Sequence, residues 1–297
     1  MNEQGQKRRR GGGRAGNAQR RGSASIEQMP WHLPINNDSP TEPLNEDGVM
    51  AIHDGAMRIL EEIGVEFLNE KAVRILKKAG CKINEQNVRM DRQFVMEMVA
   101  KAPSTFDITP RNVKRKITVG GPYILFGNVS SPPAYWDLEI GKKIPGSRET
   151  FANFCKLSQY FNCIHFLGGY PVEPVDLHPS TRHLDAVFDK LILSDKVAHA
   201  YSLGKERVED VMEMVRIAGN LSHDEFEASP KMFTNINSTS PLKHDEPMLD
   251  GWMRLAKKNQ ALIVTPFTLA GAMAPVTMAG AVAQSIACLL YTSDAAD

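Results

Sequence analysis

Lys196–Val197–Ala198–His199–Ala200–Tyr201–Ser202–Leu203–Gly204 is a short apolar run that closes on a glycine, and the stretch behind it, Lys205–Ala218, is helical in pattern. That is a strand turning into a helix. The same order of events recurs on both sides. Strand-like runs stand at Cys163–Leu167, Lys231–Ile236 and Ala261–Phe267, and helical stretches at Arg148–Tyr160, Arg182–Leu193 and Met248–Lys258. The strand centres fall near residues 165, 198, 234 and 264, at spacings of about 33, 36 and 30, the period of a βα unit. Such repetition predicts a parallel sheet with helices outside it. A doubly wound dinucleotide fold would need a G-x-G-x-x-G turn after its first strand. Gly168–Gly169–Tyr170–Pro171 stands there instead, and Pro171 has no backbone N–H to offer a phosphate. The spacing therefore predicts an α/β fold over residues 147–287: a partial (β/α)8 TIM barrel of about four βα units.

Ahead of the repeat, residues 46–146 read as a small α+β region. Met50, Ile52, Ala56, Ile59, Leu60 and Ile63 recur at helical steps, and Gly64 fits the helix end. A second helix is expected from about Glu70 to Lys78, and a third from Asp91, ended by Pro103. Residues 105–145 alternate in short runs between Gly and Pro turns and read as strands. Residues 26–45, with Pro30, Pro34, Pro40 and Pro43, read as an extended arm.

The 297 residues carry a formal net charge of zero, which hides an asymmetry: residues 1–25 hold seven cations and one anion. This Arg/Gly-rich tail has too little to bury to fold, and no aromatic residues are interleaved to stack on bases, so neither structure nor a nucleic-acid partner is expected of it. No apolar segment follows the arginines, as a signal peptide requires, and no run is long enough to span a membrane. The four cysteines show no framework spacing. A cytoplasmic protein with free thiols is expected. At the other end, Cys288–Asp297 resembles a translated sequencing adapter, so the natural sequence is expected to stop near Ala287, within a helix beginning around Ala270.

In a (β/α)8 barrel the active site lies at the C-terminal ends of the strands. Those ends carry amides, hydroxyls, two tyrosines, a phenylalanine and one glutamate. They show no carboxylate pair for glycoside hydrolysis, no metal motif and no lysine at a strand end for a Schiff base. Such a mouth binds and orients a ligand rather than shuttling protons. The candidate substrate-binding residues are Tyr170, Glu173, Tyr201, Asn235, Asn237 and Phe267. Aromatic faces attract quaternary ammonium groups, and Glu173 could face a cation. Asn235 and Asn237 share a strand face by period two. His199 reads more readily as a structural histidine than as a catalytic one, so no catalytic residue is assigned, and no metal ligand.

Several stretches resemble one family. Leu60–Glu61–Glu62–Ile63–Gly64–Val65–Glu66–Phe67, Gly168–Gly169–Tyr170–Pro171–Val172–Glu173–Pro174 and His199–Ala200–Tyr201–Ser202–Leu203–Gly204 are similar to segments of the trimethylamine methyltransferase family. The strongest match runs from Thr265 to Thr277. Ser130–Ser131–Pro132–Pro133 departs from it, standing where glycines are expected before the prolines. The resemblance implies a TIM barrel that takes a methyl group from a methylated amine, either trimethylamine or, preferably here, a quaternary amine such as glycine betaine. The methyl passes to the Co(I) of a cognate corrinoid protein, so the corrinoid is carried by that partner and not held tightly by this chain. The resemblance also implies a homo-oligomer in the full-length form, and places the pyrrolysine position of the archetype beyond this chain. The chain alone is expected to be inactive, since half a barrel leaves strand edges unpaired. Two other readings stay open: a different TIM-barrel enzyme, such as a lyase or isomerase, and a non-catalytic protein that binds betaine-like cations.

Overall fold

The computed structural model describes residues 26–201 and 203–290. The basic tail, Ser202 and residues 291–297 lie outside the described residues, and with them most of the adapter-like stretch.

Asn45 opens the first helix, α1 (Glu46–Arg58), by accepting the Gly48 N–H at 2.9 Å. One π-helical turn, Ile59–Ile63, prolongs it. Gly64 ends that turn at φ 83°, where a Cβ would lie 2.6 Å from the Val88 carbonyl oxygen, so only glycine fits. There follow β1 (Val65–Phe67), α2 (Glu70–Lys78), the hairpin β2 (Lys82–Asn84) and β3 (Asn87–Arg89), and α3 (Arg92–Val99). Two more hairpins pair β4 (Thr105–Ile108) with β5 (Ile117–Gly120), and β6 (Ala134–Asp137) with β7 (Lys142–Pro145).

The repeat begins at α4 (Arg148–Tyr160), where Ser147 and Thr150 form a capping box. It continues through β8 (Phe166–Leu167), α5 (Arg182–Leu193), β9 (Val197–Tyr201), α6 (Lys205–Ala218), a short α7 (His223–Glu227) and β10 (Met232–Asn237). After β11 (Lys243–His244) come α8 (Glu246–Lys257), β12 (Ala261–Thr265) and α9 (Met278–Leu290). The molecule is thus mixed α/β. Strands β8, β9, β10 and β12 form one sheet, lie side by side in chain order, and pair in parallel throughout.

Two boundaries differ most from the sequence reading. β8 has two residues rather than five, because its edge is taken by a loop: Gly127 bridges Phe166, and the His165 N–H goes to the Phe126 carbonyl at 2.7 Å. The last helix starts at Met278 rather than near Ala270. Gly271 turns the chain at φ 80°, and Pro275 both lacks an N–H and keeps the residue before it out of the helical region. Cys288, Leu289 and Leu290 complete α9, with Cys288 buried.

Helices cover one face of the parallel sheet. On the outer face Ala200 and Met232 pack with Val187 of α5, Val208 and Val211 of α6 and Leu255 of α8. The inner face is aromatic. Phe166 meets Phe233 at 5.1 Å between ring centroids, Phe233 meets His199 at 5.1 Å, and His199 meets Tyr201 at 5.0 Å. A second sheet, in the order β11-β1-β3-β2, ties the amino-terminal region to the repeat, since β11 pairs in parallel with β1. The two stretches share one core, in which Met57, Leu60, Phe67 and Val88 pack with Ile236, Leu249, Trp252 and Ala287.

Candidate functional site

Strand alternation decides which side chains reach the inner face. In β9 His199 and Tyr201 point there and Ala200 points to the helices. In β10 the register sets Phe233 opposite His199 and Asn235 opposite Tyr201. Asn235 and Asn237 therefore share the inner side, as period two requires, while Thr234 turns outward and donates to the Ala200 carbonyl at 2.7 Å.

Tyr201, the last residue of β9, is a hub. Its hydroxyl bonds with Ser130 Oγ at 2.7 Å and with Ser131 Oγ, and accepts the Tyr170 N–H at 3.1 Å. These bonds pull the 130–133 loop onto the mouth, giving the serines that depart from the family pattern a definite job. The rings of Tyr170 and Tyr201 meet edge to face at 4.8 Å. Burial, then the nearby Glu173 carboxylate, raises the Tyr170 pKa, so its hydroxyl stays protonated.

These tyrosines open into a cleft of 180 Å³ whose other lining residues include Glu173, Arg182, His183 and Arg207. Glu173 accepts from Arg182 Nη1 at 2.7 Å, and Arg182 also donates to the Leu177 carbonyl at 2.9 Å. His183 Nε2 lies 2.8 Å from Asp210. Of the candidate residues, the structure thus brings Tyr170, Glu173 and Tyr201 into one cleft and sets Asn235 beside them in register. Asn237 and Phe267 stand further round the rim. Asn237 accepts from Thr265, and Phe267, 55% exposed, donates its N–H to Ser238 Oγ at 3.3 Å.

His199 is buried and its pKa falls to about 3, first through burial and then through the nearby Lys190 charge, so the ring is neutral. Nε2 accepts the Asn235 N–H at 3.2 Å, so the proton sits on Nδ1, which has no partner among the described residues.

Lys190 is a further residue of the strand ends that the sequence reading did not single out. It lies on α5, fully inside the protein, and its ammonium donates to the Gly169 carbonyl at 3.1 Å and the His199 carbonyl at 2.7 Å, linking two strand tips. It lies 5.4 Å from the Tyr170 ring centroid. Burial lowers its pKa to about 8. Its place on the inward stripe of α5, after Ala186 and Val187, was the only signal in the sequence. Ser130, Ser131, Arg182 and Arg207 were missed as well, because their roles arise from loops that meet only in the fold. Among the described residues, no group of three or more His, Cys, Asp or Glu could hold a metal ion, and no helix is long and apolar enough to cross a membrane.

Comparison with known proteins places the chain in a family. The family model for trimethylamine methyltransferase matches residues 9–293. The chain belongs to the trimethylamine methyltransferase family. Among its relatives in the family, the glycine betaine methyltransferase of Desulfitobacterium hafniense (strain Y51) is 34% identical over 237 residues, covering 80% of this chain and 49% of that protein. The trimethylamine methyltransferase MttB of Desulfitobacterium hafniense (strain DSM 10664 / DCB-2) is 23% identical over 247 residues, covering 80% of this chain and 48% of that protein. The chain therefore spans about half the length of these curated relatives.

Proposed function

We propose that the full-length protein moves a methyl group from a methylated amine to the Co(I) of a corrinoid carried by a separate partner protein. The substrate is proposed to be a quaternary amine such as glycine betaine, in preference to trimethylamine. The four parallel strands are proposed to be the first half of a (β/α)8 barrel. Their order supports that reading: each lies beside its predecessor in chain order, with no reversal of the kind that marks a doubly wound sheet.

The observation that carries the proposal is the Tyr170–Tyr201 pair opening, with Glu173, into one cleft at the strand tips. A quaternary ammonium is held by aromatic faces, not by hydrogen bonds. The corrinoid supplies the nucleophile when its protein docks. The residues of this chain have the remaining tasks of holding the cation, aligning its methyl group and excluding water. A quaternary amine leaves as a neutral amine, so no general acid is required of this chain.

The test is methyl-corrinoid formation, followed spectroscopically, by the full-length protein with a reduced corrinoid protein and either glycine betaine or trimethylamine. Methylation is expected with a methylated amine, and Tyr170→Leu should raise the KM for it about tenfold, the loss of one cation–π contact of roughly 1–2 kcal/mol. No methylation with either amine would sink the proposal, and an unchanged KM would remove Tyr170 from the site.

A further inference from the structure

We infer that the outer face of α5 is a self-association surface, on which a second copy of this chain packs across a two-fold axis through Phe188. The surface belongs to the helical wall and not to the cleft at the strand tips, so it is independent of the methylated-amine reading.

α5 is built inside out. Its exposed residues are Leu184, Phe188 and Ile192 alone, at 37, 51 and 55% exposure, and none is polar. Steps of four set the three on one stripe. The charged side chains of the same helix are engaged within the chain. Arg182 meets Glu173 at 2.7 Å, Asp185 and Asp189 both meet Arg148 of α4, and the Lys190 ammonium donates to two carbonyls. The helices on either side follow the ordinary pattern of a helix at a water surface. α4 exposes Glu149 and Lys156, and α6 exposes Glu206, Glu209 and Glu213. A helix that ties its charges inward and turns an unbroken apolar stripe outward is a helix made to be covered.

The rest of the molecule narrows what covers it. α5 is already flanked by α4 and α6 and backed by the parallel sheet. Further βα units would add beside β12, at the end of that sheet, and not over α5. Residues 1–25 contain no Leu, Ile, Val or aromatic side chain to lay on the stripe. The stripe carries no charge that would select a partner of opposite sign. It does match itself. In an antiparallel pair Phe188 meets its counterpart at the axis, and Leu184 meets Ile192 of the second copy about 6 Å to either side, four residues at the helical rise.

The size fits as well. With Tyr160 of α4 and Ile217 of α6, both exposed, the stripe offers on the order of 500 Å² of apolar side chain per copy. A standard interface takes about 800 Å² from each partner, and a homodimer interface is about 65% apolar, which comes to about the same area.

The experiment is light scattering of the full-length protein after size-exclusion chromatography. Wild type should run at twice the chain mass or an even multiple of it. Phe188→Glu, which sets two carboxylates face to face, should halve that mass, and mixing it with Phe188→Lys should restore it. Thermal unfolding checks that each variant is folded. Should the charged variants unfold, a cross-link decides, made in a Cys163→Ser background because Cys163 is an exposed thiol. Adding Phe188→Cys to that background should give a covalent dimer on a non-reducing gel after oxidation, and the background alone should give none. A wild type of one copy or an odd number of copies, a mass that Phe188→Glu leaves unchanged, or a Phe188→Cys protein that does not cross-link overturns the inference.

Discussion

Two histidines, one in each sheet, show how differently the two regions of the molecule are finished. His244, on β11, is fully buried between Phe67 and Trp252, with ring centroids 5.4 and 6.2 Å away, and neither of its ring nitrogens has a partner among the described residues. His199, on β9, is buried almost as deeply between Tyr201 and Phe233. Burial is the first cause of both pKa depressions, to about 4 for His244 and about 3 for His199. Yet His244 leads nowhere, while His199 accepts from Asn235 and sits beneath the Tyr201 hydroxyl, whose bonds reach the cleft. Depth and depressed pKa do not mark a site by themselves. What marks this one is the contact of the buried ring with Tyr201, whose hydroxyl bonds reach the open cleft.

The mixed sheet is thus expected to answer for stability and the tips of the parallel sheet for binding, and four measurements can break that division. The largest effect belongs to Trp252, which is buried in the shared core. Trp252→Ala should cost about 3–5 kcal/mol in chemical unfolding, and a loss below about 1 kcal/mol would show that the two regions do not share that core.

Acid comes next. The unfolded chain takes up a proton at His244 as the pH falls through 6.5, whereas the folded protein does so only near 4. Its contribution is therefore full above about pH 6.5, is lost progressively as the pH falls toward 4, and amounts to about 3 kcal/mol. His244→Leu should abolish this part of the acid sensitivity without loss of stability at pH 7, since the ring there satisfies no hydrogen bond. The His199 part, of the same sign, should remain. Unfolding free energies between pH 4 and 7 decide it: an unaltered pH profile in His244→Leu would contradict the burial of a neutral ring.

Tyr201→Phe should cost about 1–3 kcal/mol by removing the hydroxyl that holds Ser130, Ser131 and the Tyr170 N–H, and should weaken amine binding in the same protein. Thermal unfolding and calorimetry together test it, and loss of stability without loss of binding would separate the 130–133 loop from the site. The smallest effect is at Asn237, an exposed residue at the far end of the rim. Asn237→Ala should change stability by no more than about 0.5 kcal/mol, so any fall in methyl transfer can be assigned to ligand contact.

Much of the fold was legible in the chain. The helices Arg148–Tyr160, Arg182–Leu193 and Lys205–Ala218 lie within their expected bounds, because local features such as the Ser147 capping box and the glycines at positions 204 and 219 are sequence-local. The β8 strand did not, because the Phe126–Asn128 loop that takes up its edge lies about 40 residues away. β11 escaped notice altogether: Lys243–His244 is a strand only because β1 lies beside it. At the site, the residue types at the strand tips could be read, but their grouping could not. Lys190 looked like one more helix residue, and Arg207 like one more surface charge.

Residue order by itself determined the βα period, which residues of a strand share a face, and the aromatic and amide character of the tips; the first two follow from spacings along the chain and the third from residue identity. Only the tertiary structure decided that Tyr170, Tyr201, Glu173 and Arg207 meet in one cleft, and that Arg182 rather than a ligand neutralises Glu173. Those relations join residues that are near in space and distant in sequence, and no local spacing encodes which loop a charge will face.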